Sequence, residues 1–173
     1  MPRNIARLFT RHLPHPTHVL YRHCPEGAWL DVTVREVEVL AGRWQAAFRR
    51  EGYVAGDRIA LCARNGIDWV AIDIAALGLG LVIVPLYVDD NADNVAWCVE
   101  NAAARLLIVE SSRIATALES RTETSGPLPP LVVLRPDAGG TANSAVGACD
   151  TRSSAICGIP RAYATVAPSD RGR

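Results

Sequence analysis

The side chains that could do chemistry in this sequence fall into a few groups. All four histidines, His12, His15, His18 and His23, lie within twelve residues. Histidine clusters bind metal when their spacing places two imidazoles on one face, but this spacing matches no standard zinc pattern, and Pro14 and Pro16 interrupt any common face. Polar loop residues are expected there. A second group, Asp89, Asp90 and Asp93, could attract a divalent cation. Carboxylates around a helix start are also stabilised by the helix dipole, and Asn91 is placed to cap such a helix, so a structural role is expected. Asp73 is the single charge in the apolar run from Trp69 to Leu86, where a boundary carboxylate reaching solvent or a backbone donor is expected.

Nucleophile and phosphate chemistry have little to work with. No GxSxG, HExxH or Walker loop occurs, and all eighteen basic Lys/Arg positions are arginine, so neither a phosphate-loop lysine nor a Schiff-base lysine is available. Arg35, Arg43, Arg49 and Arg64 could touch a phosphate, although solvated helix surface is the plainer reading. The five cysteines, Cys24, Cys62, Cys98, Cys149 and Cys157, contain no CxxC pair. Their odd number without a secretory signal points to a reducing, cytoplasmic setting.

The elements that must position these groups centre on residues 57–87, DRIALCARNGIDWVAIDIAALGLGLVIVPLY, the longest apolar run in the chain. It reads as strand 59–63, a helix begun by Asn65 and ended at Gly78 and Gly80, and strand 81–84 running into Pro85. Ile67, Val70, Ile74 and Leu77 form the expected sheet-facing stripe, with Ala71, Ala75 and Ala76 permitting close approach. Gly78-Leu79-Gly80 is no dinucleotide fingerprint, because it closes a helix instead of opening one. The apolar run from Trp69 to Leu86 has the length of a membrane span, but Asp73, the glycines and Pro85 argue for helix followed by buried strand.

Upstream, residues 4–13 have a short amphipathic pattern. Residues 19–22 and 28–32 read as a hairpin around Cys24-Pro25-Glu26-Gly27. Thr33 and Glu36 have capping-box spacing and open a helix whose stripe is Val37, Leu40, Ala41, Trp44 and Phe48, with Gly52 as its left-handed cap. Downstream, a helix from Asn91 carries Val95, Cys98, Val99 and Ala102. Strand 105–109, a short helix capped by Ser111 or Ser112, and strand 131–134 follow.

Strands alternating with helices imply an α/β fold, a parallel sheet flanked by helices with an N-terminal hairpin. In such sheets ligands lie beyond the C-terminal strand ends. That rim comprises Ala63-Arg64-Asn65, residues 85–91 and Glu110-Ser111-Ser112, and none of these holds a nucleophile beside an evident base. The organisation expected is an N-terminal helix and loop over 1–16, an α/β domain over 17–137, and a tail over 138–173. The tail has no leucine and no apolar periodicity, which predicts disorder or a frameshifted end. Zero formal net charge and 49% hydrophobic residues describe a globular chain without the electrostatic footprint of a nucleic-acid binder.

Several stretches together carry a family resemblance: Val32-Thr33-Val34-Arg35-Glu36-Val37, Gly52, Gly56-Asp57-Arg58-Ile59-Ala60, Asn65-Gly66-Ile67-Asp68-Trp69 and Gly80-Leu81-Val82-Ile83-Val84-Pro85-Leu86-Tyr87. Asn94-Val95-Ala96-Trp97 and Ala104-Arg105-Leu106-Leu107-Ile108-Val109 continue it. In order and spacing they resemble the start of the AMP-forming acyl-CoA synthetases of the adenylate-forming superfamily, over residues 17–135, and are most similar to the long-chain fatty-acid branch. The resemblance implies an incomplete N-terminal subdomain of that fold.

It further implies a ligase of fatty acid metabolism, which uses ATP, Mg and CoA to turn a fatty acid into acyl-CoA through an acyl-adenylate. The family's Ser/Thr/Gly-rich phosphate loop ending in Pro-Lys-Gly, its nucleotide pocket and its C-terminal lysine have no counterpart here. Thr122-Glu123-Thr124-Ser125-Gly126 comes too early and lacks the lysine. No catalytic, cofactor-binding or metal-binding residue is therefore carried over. The expectation is a truncated fragment lacking the C-terminal part of its domain and inactive alone. The alternative is a freestanding α/β binding or interaction module without ligase chemistry.

Overall fold

A computed structural model describes residues 6–24, 27–120 and 127–135. The segment 138–173, expected to be a disordered or frameshifted tail, lies outside the described residues, as does 122–126. The chain opens with the short helix α1 (Ala6–Thr10), followed by β1 (Val19–His23) and β2 (Leu30–Thr33), which pair as an antiparallel hairpin. Then come α2 (Val34–Arg50), β3 (Arg58–Cys62), α3 (Ile67–Leu79) and β4 (Val82–Leu86). The described elements close with α4 (Ala92–Asn101), β5 (Leu106–Ser111), α5 (Ser112–Glu119) and β6 (Leu131–Arg135). The four later strands form one parallel sheet in the order β4-β3-β5-β6.

Local chemistry explains the boundaries. Thr33 Oγ1 accepts from the Glu36 N–H at 3.3 Å while the Thr33 N–H donates to Glu36 Oε2 at 2.7 Å, which completes the capping box of α2. Such a cap contributes about 1 kcal/mol. The same helix end is also supplied from outside, since the carbonyls of His18 and Pro16 accept from Val34 N and Arg35 N, both at 2.9 Å. Gly52, at φ +75°, lets the Tyr53 N–H return to the Phe48 carbonyl at 3.0 Å and closes the helix as the sequence predicts.

The sheet buries both faces by simple alternation. Ile59, Leu61, Leu106 and Ile108 face α2 and α3, together with Val37, Trp44 and Phe48. Ala60, Cys62, Leu107 and Val109 face the other way, against Val95 and Val99 of α4 and Ala115 and Leu118 of α5. The result is three layers with the apolar sheet in the middle, where each large aliphatic side chain removed from water contributes roughly 1.5–3 kcal/mol.

Three local expectations need correction. Helix α3 begins at Ile67 with Gly66 as its N-cap and no side-chain cap bond, so Asn65 does not open it. Strand β4 extends through Pro85, which pairs in register with Leu61. Proline is tolerated there because β4 is an edge strand of the described sheet and its missing N–H removes no ladder bond on the far side. Finally, the residues of α3 buried most deeply are Ile67, Ala71, Ile72, Ala75 and Ala76, not the Val70, Ile74 and Leu77 stripe. An almost wholly apolar helix carries no directional signal, and the small alanines win the sheet side because they permit the closest approach.

Candidate functional site

Because the four strands run parallel, their C-terminal ends, at Cys62, Leu86, Ser111 and Arg135, gather at one edge. The chain passes from β3 to β4 on one side and then crosses to β5 on the other, so the connections diverge between β3 and β5. Ligands in open α/β sheets sit at this kind of divergence. A cavity of about 90 Å³ opens there, lined by Cys62, Val88, Asp90, Arg113 and Leu118 among others.

The rim is tied together by its own charges. Arg64 Nη2 reaches Asp89 Oδ1 at 3.3 Å, which joins the loop after β3 to the loop after β4. Arg135 reaches Glu110 Oε1 at 3.4 Å and Asp68 Oδ2 at 3.7 Å, linking β6, β5 and the start of α3. Asp90 accepts from its neighbour Asn91 N at 2.9 Å and from the Asn94 side-chain amide. Asn91 Oδ1 in turn accepts from Asn94 N at 2.7 Å, the helix cap that the sequence predicts. The exposed pairs contribute at most about 1 kcal/mol each and act mainly to set loop positions.

Cys62 is the only thiol on this rim among the described residues, and its surroundings make it inert. Its Sγ–H lies 3.5 Å from the Tyr87 carbonyl as donor, and its side chain is fully buried. Burial, aided by the charges of Asp90, Glu110 and Asp89, pushes the thiol up to about 11. A nucleophilic cysteine needs the opposite environment. Ser111 forms no side-chain cap bond at α5.

Among the described residues, no three His, Cys, Asp or Glu side chains come together in a way that could hold a metal ion. Asp89, Asp90 and Asp93 are spent on the Arg64 pair and on the start of α4. His15 and His18 stack on each other with ring centroids 4.8 Å apart, in the turn that feeds its carbonyls to α2. Of the arginines considered for phosphate, Arg35 pairs with Glu38 at 3.1 Å and Arg64 with Asp89.

Among the described residues, the rim cavity is small and its charges are acidic. A cavity of about 90 Å³ falls well short of the roughly 300 Å³ that ligands of nucleotide size occupy. The carboxylates of Asp89, Asp90 and Glu110 that raise the Cys62 pKa would also repel phosphate. The Arg135 and Cys62 contacts escape sequence reading because they join residues from separate strands, with no local spacing to announce them.

Comparisons with known proteins agree on one family. The family described as AMP-binding enzyme matches residues 10–160. The long-chain-fatty-acid–CoA ligase FadD15 of Mycobacterium bovis is 30% identical over 126 residues, which is 73% of this chain and 20% of that protein. A 3-hydroxybenzoate–CoA/4-hydroxybenzoate–CoA ligase of Thauera aromatica is 31% identical over 108 residues, 61% of this chain and 20% of that protein. The chain thus spans about a fifth of the length of the curated relatives it matches.

Among solved structures, the N-terminal domain of FACL13 from Mycobacterium tuberculosis superposes with a TM-score of 0.66 at 20% identity, covering 77% of this chain and 34% of that one. A Brucella canis acyl-CoA synthetase gives 0.71 at 16% identity over 88% of this chain and 27% of its own. At these identities the superpositions establish the fold.

Proposed function

Since the chain belongs to the family of AMP-binding enzymes, we propose that it forms the N-terminal α/β frame of a fatty acid–CoA ligase. Such a ligase joins a fatty carboxylate to AMP from ATP with loss of pyrophosphate, then passes the acyl group to CoA. The observation that carries the reading is the 30% identity to a long-chain-fatty-acid–CoA ligase over 73% of the chain, along the same strand–helix succession that builds the sheet.

On this reading the 173 residues position structure and do not catalyse. ATP, Mg, CoA and the fatty acid would be engaged by parts of a full-length ligase beyond the residues of this chain, in the cytoplasm. Three features support this. The sequence has no lysine, the rim arginines Arg64 and Arg135 are committed to carboxylates, and the rim cavity is too small for a nucleotide. Stabilising charge on a transferred phosphate requires oriented cationic or N–H donors around it. No helix among the described residues is long and apolar enough to cross a membrane.

ATP–pyrophosphate exchange with purified 173-residue protein and long-chain fatty acids tests the reading directly. No exchange above a protein-free control is expected, and robust turnover overturns it.

A second reading, a freestanding α/β module, is favoured by the closed apolar clusters on both faces of the sheet. Thermal melting with an apolar-binding dye separates the two. A sharp transition with little dye uptake supports the module, whereas strong uptake by the native protein supports a frame that packs against further structure.

A further inference from the structure

A second cavity, of about 200 Å³, lies far from the rim, between α1, β1 and α3. Its walls are Leu8 and Phe9 of α1, Leu20 of β1, and Ile74 and Leu77 of α3. Among these apolar groups stands one carboxylate, Asp73, with His12 and Tyr21 also on the lining. No lysine or arginine lines it.

Asp73 differs from the other carboxylates of this protein that sit against packed surface. Asp57 and Glu110 each receive an arginine, whereas Asp73 has neither a hydrogen bond nor an ion pair among the described residues. Its carboxylate is half-buried, open to solvent on one side and to the groove on the other. Burial alone raises its pKa, with no compensating charge. Of the two expectations for this residue, solvent or a backbone donor, the structure meets the first: Asp73 is a half-buried boundary carboxylate. With Asp68 of the same helix paired to Arg135, Asp73 is the unpaired charge of α3, and beside a groove lined by Leu, Ile and Phe it supplies the two halves of an amphiphile site: a cation acceptor and an apolar bed.

We propose that this groove binds a small amphiphilic primary ammonium, its charged head on the Asp73 carboxylate and its alkyl chain along Ile74, Leu77 and Phe9. The volume limits the occupant. About 200 Å³ corresponds to roughly seven water-sized groups, which suits a chain of six carbons or so and excludes a nucleotide or a long acyl chain. The head pairs with the Asp73 carboxylate, and each methylene laid along the apolar wall adds to the affinity. The α1–α3 packing that forms the groove does not involve the rim, so binding here is independent of the ligase reading.

The test uses the whole 173-residue chain with hexylammonium chloride, hexanol and sodium hexanoate as probes at one ionic strength. Isothermal titration and thermal melting are read on wild type and Asp73→Asn. The isosteric amide removes the charge without changing the shape, so folding is preserved. Hexylammonium is expected to bind wild type and raise Tm, on the order of 3 °C at tenfold excess over Kd. Hexanol and hexanoate should bind at least tenfold more weakly, and Asp73→Asn should lose at least tenfold in hexylammonium affinity. Absence of hexylammonium binding overturns the proposal. So does equal binding to Asp73→Asn, or hexanol binding as tight as hexylammonium. Binding that appears only after removal of residues 1–5 also overturns it, since the chain's own N-terminal segment would then be the occupant. Ile74→Trp, which fills the groove, should abolish binding while the melting transition stays cooperative, and unchanged binding in that variant places the ligand elsewhere.

Discussion

The Arg105 guanidinium donates to the Asp57 carboxylate across 48 residues of chain, and its Cζ lies 5.3 Å from the centroid of the Tyr53 ring. Asp57 sits in the turn that leads into β3, and Arg105 immediately precedes β5. The pair thus clamps the N-terminal ends of two adjacent strands, opposite the rim. The Val54 N–H at 2.8 Å is the main cause holding the Asp57 carboxyl below the usual carboxylate range; desolvation, the next largest effect, opposes it, and Arg105 and Arg58 add to the lowering.

A lowered folded-state pKa makes Asp57 a source of acid lability. Its contribution is present above its unfolded pKa of about 4 and is lost as pH falls through the lower folded value. Asp57→Asn should therefore melt below wild type at neutral pH, and the two melting curves should converge between about pH 5 and pH 2. Circular dichroism melts at constant ionic strength check this, and a pH-independent gap would count against it.

Asp73 should behave in the opposite sense. Burial raises its folded-state pKa, so the protonated form is favoured by folding; that advantage is complete below about pH 4 and disappears as pH rises through the folded value. Asp73→Asn should be more stable than wild type at pH 7, with the difference vanishing near about pH 3. Denaturant titrations at the two pH values read the effect directly.

Besides α2, two helix ends close in left-handed geometry, with opposite residue choices. Gly80, at φ +72°, ends α3, while Ala103, at φ +47°, occupies the equivalent place after α4, with the Ala104 N–H returning to the Val99 carbonyl at 3.0 Å. Ala103→Gly should stabilise by about 0.5–1 kcal/mol, the left-handed strain less the added chain entropy. Gly80→Ala should destabilise by at least about 1 kcal/mol, because a Cβ there would also come within 3.1 Å of Ala55 Cβ. Midpoints of urea unfolding at unchanged slope would establish both signs.

The thiols should separate by rate. Cys62 is buried with its thiol pushed up to about 11, whereas Cys24 is exposed. Alkylation by iodoacetamide near pH 8 should modify Cys62 at least about 100-fold more slowly than Cys24 in the native protein. In denaturant the difference should collapse. Peptide mass spectrometry at timed quenches distinguishes this from uniform labelling, which would mean that the β3 end is open to solvent.

The readings that held share one property: the interacting residues lie three to five positions apart. Thr33 with Glu36, Asn91 with Asn94, and the Gly52 closure of α2 are settled within one helical turn, so spacing alone reveals them. The alternation of Ile59, Ala60, Leu61 and Cys62 likewise announces a strand buried on both faces. The start and the buried face of α3 were not legible, because a glycine N-cap leaves no side-chain signature and an apolar helix looks the same from every side. On the candidate rim, the loops could be nominated from the strand ends, but the Arg64–Asp89 and Arg135–Glu110 pairs that consume its charge join residues 25 apart and could not.

The sequence by itself determined the succession of strands and helices, their parallel arrangement and the family, since each follows from periodicity, caps and local order. Only the tertiary structure decided the strand order β4-β3-β5-β6, the pairing of the rim charges and the placing of the half-buried Asp73 beside the α1–α3 groove. These depend on which surfaces meet after the chain has crossed from one side of β3 to the other, and that choice is set by mutual burial of distant faces, which no local pattern encodes.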